Sequence, residues 1–117
     1  MSIYQRMTEI AMAAEIPIFL NYWRKSSEYP EIPNQFCVYT VTQEVSALAA
    51  DDCELIHETQ ITLDMYGKSD LSAAHERLKE ALTQDGFDLL GQSDAADVYS
   101  GEWRYHKRLK LTKYEEV

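Results

Sequence analysis

Apolar and polar positions along this chain repeat with two different periods, and the changes of period mark out its elements. Over residues 3–14, Ile3, Met7, Ile10, Ala11 and Ala14 share one face of a helix while Gln5, Arg6 and Glu9 point elsewhere. Ser2 stands where an N-cap belongs, and Pro17 stops the helix. The stretch "IPIFLNYW" is short, apolar and aromatic, which predicts an extended segment or a first strand. "RKSSEYPEIPN", with Pro30 and Pro33, can continue neither element and predicts an exposed loop.

"QFCVYTVT", residues 35–42, is rich in β-branched and aromatic residues and reads as a strand covered in part on both faces. Residues 43–54, "QEVSALAADDCE", show neither alternation nor a helical stripe, so they are expected to form a long mobile connection. From 55 to 66 the pattern alternates again. Leu55, Ile61, Leu63 and Met65 face one side with His57 and Thr59 between them, and Glu58, Gln60, Thr62 and Asp64 face the other, as in a half-buried antiparallel strand.

"GKSD" then turns the chain, and Ser69 or Asp70 caps a helix over residues 70–85 whose buried stripe is Leu71, Ala74, Leu78, Ala81 and Leu82. Gly86 ends it. Two strand candidates follow Gly86, 96–100 and 102–114, separated by Gly101. The second of them alternates Trp103, Tyr105, Leu109 and Leu111 against Arg104, His106, Arg108 and Lys110. "LLGQSDAA" before them looks loosely specified. The order α-β-β-β-α-β-β predicts an α+β fold, an antiparallel or mixed sheet of about four strands with two helices on one face.

Composition narrows what such a fold is for. A chain of 117 residues, 45% hydrophobic and 26% charged, suits one globular domain, residues 1–117, with a core that needs no disulfides or metal. No apolar run approaches the roughly 20 residues that span a bilayer, and the first 14 residues lack the features of a signal peptide, so a cytoplasmic site of synthesis is expected. A net charge of −9 disfavours sequence-specific nucleic-acid binding. The charge is uneven: Arg104, Lys107, Arg108, Lys110 and Lys113 all fall within residues 102–117, a basic segment on an acidic body.

Candidate chemistry is sparse. "HERLK" begins like a zinc-protease helix but puts Lys79 where the second histidine must stand, and Cys37 and Cys53 have no companions at zinc spacing. They are expected to be free thiols. No nucleophile elbow or phosphate-binding glycine loop occurs, so the chain predicts no catalytic residue, metal or cofactor, and no enzyme. His57 sits mid-strand, where a satisfied, partly buried histidine is the ordinary outcome, and His106 between two arginines predicts a solvated or interface position. Tyr22, Trp23 and Tyr29 cluster at the proline loop, either as core packing at its base or as a subunit contact.

Taken together, the N-terminal helix ending in "IPIF", the proline loop before "FCVYTV", the acidic "AADD", the piece "HETQITLDMYGKSD" leading into "LSAAHERLKEAL", and the ending "DVYSGEWRYHKRLKLT" resemble a known family. The chain is similar to the tail-terminator, or tail-completion, proteins of long-tailed bacteriophages and prophages of Gram-positive hosts. The resemblance implies a structural virion protein without an active site. It implies a homo-oligomeric ring, usually a hexamer, that caps the tail tube protein and offers the joining surface for the head connector, with DNA passing through. An acidic body suits that conduit, because like charge denies phosphates a hold. The neighbouring expectations are another head-tail joining or minor tail protein, or a small cytoplasmic enzyme or ligand-binding domain built on His57 with Tyr22 and Trp23. For the ring, the expected contact sets Arg104, Arg108 and Lys110 of one subunit against Asp51 and Asp52 of the next, with apolar packing around Tyr22 and Trp23.

Overall fold

A computed structural model describes residues 2–23, 25–50, 53–94 and 105–116. Its elements are α1 (Ile3–Ala14), β1 (Ile18–Leu20), β2 (Gln35–Ala50), β3 (Cys53–Gly67), α2 (Ser72–Gln84), β4 (Asp88–Asp94) and β5 (Tyr105–Glu116). The α+β class and the helix–strand alternation follow the sequence pattern. Among the described residues the strands number five rather than about four, in the order β1-β2-β3-β5-β4. Only β1 with β2 is a parallel pair, and every other pair is antiparallel, so the sheet is mixed.

Local chemistry accounts for both helices. Ser2 and Gln5 form a reciprocal capping box at the start of α1, and Glu15 ends it in the left-handed region at φ 57° before Pro17. Asp70 accepts from the Ser72 N–H at 3.1 Å and from the Ser72 hydroxyl at 2.8 Å, which fixes the entry to α2. Gly86, at φ 93°, lets the chain leave α2. Gly67 is needed for close approach, since a Cβ there would stand 2.6 Å from Leu71 Cδ2.

The core lies between the helices and one sheet face. Met7, Ile10 and Ala14 of α1 and Leu71, Ala74, Leu78 and Leu82 of the α2 region pack with Ile61, Leu63 and Met65 of β3 and Leu109 and Leu111 of β5. The register explains the selection, because Ile61 pairs with Leu111 and Leu63 with Leu109, so all four point to the same side. Arg77 links the two helices by donating from Nε to the Ala14 carbonyl at 2.9 Å, placing a cation at the C-terminus of α1.

Two expectations are corrected. Residues 43–50 and 53–54 are not a long connection: β2 and β3 pair as far as Ala50 with Cys53, making one long hairpin arm. Alternation is lost there because the pairing shifts register between Val41 and Gln43, between Ser46 and Leu48, and between Leu48 and Ala49. The fourth strand is Asp88–Asp94, within the stretch that looked loosely specified, while the expected strand 96–100 lies outside the described residues. As an edge strand, β4 leaves Leu89 and Leu90 exposed and breaks register between Leu89 and Gly91, so no alternating pattern marks it.

Candidate assembly interface

The sheet face turned away from the core carries Tyr22, Trp23, His106, Arg108 and Lys110 of the residues singled out in the sequence. After β1, Asn21 takes φ 67°, and its N–H donates to the Tyr39 carbonyl at 2.9 Å while the Tyr22 N–H donates to the Leu20 carbonyl at 2.8 Å. These bonds swing Tyr22 and Trp23 towards Phe36, Val38 and Tyr66, which with Ile32 line an apolar pocket of about 320 Å³. Trp23 is half-buried, its Nε1 lacking a hydrogen-bond partner among the described residues, and Tyr22 is 58% exposed. Trp23 thus packs at the base of the proline loop, one of the two roles expected for this cluster, while Tyr22 presents an exposed ring.

The register sets out parallel rows of side chains across this face. Phe36 pairs with Tyr66 and Tyr66 with His106; Val38 pairs with Asp64 and Asp64 with Arg108; Thr40 pairs with Thr62 and Thr62 with Lys110. Phe19 packs edge-on against both Tyr29 and Phe36, and Phe36 lies 5.3 Å from Tyr66, centroid to centroid. Tyr66 stacks on His106 at 4.5 Å with the planes inclined by 22°.

Arg108 and Lys110 do share one face, as the alternation predicts. The Arg108 Nε is 2.8 Å from Asp64 Oδ1, an oxygen that also lies 3.1 Å from His106 Nε2. Of the solvated or interface position expected for His106, the solvated alternative is corrected: the ring is buried, 5% exposed, because Tyr66 covers it and Asp64 holds one nitrogen. Among the described residues its Nδ1 finds no hydrogen-bond partner. Asp51, Asp52 and Arg104 lie outside the described residues.

Two features went unread in the sequence. The hairpin arm concentrates acid: Glu44, Glu54 and Glu58 sit on it, with Glu115 and Glu116 on the strand beside it. His57 bridges this cluster, with Nδ1 2.7 Å from Glu54 and Nε2 3.7 Å from Glu44. The hydrogen bond to Glu54, supported by both negative charges, holds the His57 pKa above its ordinary value despite partial burial. The second is a partly buried network in which Arg6 meets Glu115 at 2.8 Å and Asp85 at 3.5 Å, and Lys113 meets the Asp85 carboxylate at 2.9 Å and the Asp85 carbonyl. Lys113 Nζ also stands 5.4 Å from the centroid of the Phe87 ring. Only its place in the alternation with Leu109 and Leu111 could have indicated that Lys113 points inward.

Other chemistry is limited. Both cysteines are free, Cys37 buried and Cys53 exposed, and burial pushes the Cys37 thiol pKa far up. Among the described residues no group of three or more His, Cys, Asp or Glu side chains is arranged to hold a metal ion, and no helix is long and apolar enough to cross a membrane. No model of a known protein family matches the chain, and no curated protein matches it in sequence.

Proposed function

We propose that this chain is a structural virion subunit that closes as a ring on the end of a phage tail tube and presents the surface on which the head is joined. The reading rests on the family resemblance of the sequence. The observation that supports it best is the two-ended surface: an acidic arm formed by β2 and β3, and a face on which an exposed Tyr22, an apolar pocket, Arg108 and Lys110 lie in adjacent rows. Unlike patches on one subunit suit a heterologous contact, which generates a ring when its rotation closes. Exposed ion pairs contribute only about 0 to 1 kcal/mol each, so charge orients the contact and the apolar pocket holds it. Free subunits then associate weakly and close on the tube that templates them.

The test is to add the purified chain to polymerising tail tube protein of the same phage and follow length by electron microscopy. Ring-shaped caps and arrested growth are expected. Tubes that grow at the same rate, uncapped, overturn the proposal. The aromatic pocket favours one second reading, a small ligand-binding domain, for which native mass spectrometry of the purified chain would show a stoichiometric small molecule.

A further inference from the structure

The two edges of the sheet are open in complementary places. β1 covers β2 only at Cys37, Val38 and Tyr39, so among the described residues the outer side of β2 from residue 41 to 50 has no strand beside it. At the opposite edge, β4 is paired, among the described residues, on one side alone. Neither run contains proline or lysine, the residues that commonly guard an exposed edge.

We infer that β4 of one subunit adds to the free part of β2 of the next, making one sheet continuous across the ring contact. Direction and stagger both suit this pairing. β2 runs opposite to β3, and β4 runs with β3, so a copy repeated head to tail brings β4 beside β2 antiparallel. Gly91 of β4 lies level with Lys110, Thr62 and Thr40, whereas the uncovered run of β2 is centred near Val45. Bringing them together requires an offset of five to six residues, roughly 19 Å at about 3.4 Å per residue. Crossing the four strands β2, β3, β5 and β4 at about 4.8 Å each also takes roughly 19 Å. Equal steps along and across incline the strands by about 45°, the upper end of the tilt at which sheets close on themselves.

With Gly91 opposite Val45, exposed Leu90 of one subunit stands opposite exposed Ser46 of the next. The register shifts within β2 twist its edge and restrict which strand fits there. The inference takes its second copy from the ring assignment, but it names a contact that is tested separately.

The test uses the full chain with Cys53→Ser, which leaves only the buried Cys37, and adds Ser46→Cys with Leu90→Cys. Both added positions are exposed and face each other in the pairing described. Oxidation at high protein concentration and on tail tubes should give a covalent ladder in the double variant and no ladder in either single one. Leu90→Lys should weaken assembly at least tenfold in sedimentation while leaving the unfolding midpoint unchanged. Dimers from a single variant would mean that like edges meet, overturning the head-to-tail pairing. Rings in sedimentation without cross-links would overturn the edge pairing and leave the ring standing. No assembly by either measurement, with or without tubes, would sink both.

Discussion

Leu78→Ala probes the joint on which the fold depends, the seating of α2 on the sheet. Leu78 is fully buried, in the cluster that includes Leu71, Ala74 and Leu82 on its own side and Ile61, Leu63, Leu109 and Leu111 on the sheet. Truncation removes three carbon atoms, a transfer loss of roughly 2.4 kcal/mol at about 0.8 kcal/mol per buried group. A cavity is added to that loss, because Leu63 and Leu109 are held by strand register and cannot follow the retreating side chain. The sum falls at about 3 to 4 kcal/mol, inside the range of about 2 to 5 kcal/mol seen for buried leucines. Urea unfolding followed by tryptophan fluorescence should show a lower midpoint with an unchanged slope. Leu90→Ala, at an exposed edge position, should stay within about 0.5 kcal/mol of the parent. A Leu78→Ala midpoint indistinguishable from the parent's would refute the placement of α2.

The remaining predictions concern charge and thiols. Asp85→Ala leaves the buried Lys113 ammonium without its carboxylate and should cost about 2 to 4 kcal/mol in the same unfolding assay, whereas Asp85→Asn, which keeps an acceptor, should cost less. His57 has a folded pKa above its unfolded value of about 6.5, so its stabilisation of the arm is complete below that pH and is lost as pH rises through the folded pKa. An NMR titration of the imidazole should show a raised midpoint that returns towards the ordinary value in Glu54→Gln; an ordinary midpoint in the parent would break the Glu54 contact. Under native conditions a thiol reagent should modify Cys53 at once and Cys37 only after unfolding, and equal rates would contradict the burial of Cys37.

What the sequence disclosed depended on whether one face of an element was buried. α1, α2, β3 and the 105–111 part of β5 carry a clean period because a single core selects one side of each. The pattern fails in the outer half of β2 and in β4, where no core imposes a choice and the register breaks scramble what alternation remains. The same logic applies to the candidate interface. Alternation correctly put Arg108 and Lys110 on one face, but it could not reveal that Asp64 engages Arg108 or that Tyr66 closes over His106, since those partners lie 44 and 40 positions away along the chain. Lys113 was hidden for the opposite reason: its type suggests solvent, and the acceptors Asp85 and Phe87 that allow burial come from a distant turn.

The network of Arg6, Asp85, Lys113 and Glu115 also bears on how the chain is made. Arg6 and Glu115 are separated by 109 positions, yet their side chains meet. During synthesis α1 emerges first with Met7 and Ile10 uncovered, and the strand that anchors it emerges about a hundred residues later. Local propensity and the capping box sustain α1 meanwhile, but its packing waits for the far end of the chain. A ribosome that stalls before β5 therefore releases a fragment with a sticky amphipathic helix and an unfinished sheet, a substrate for chaperones and proteases.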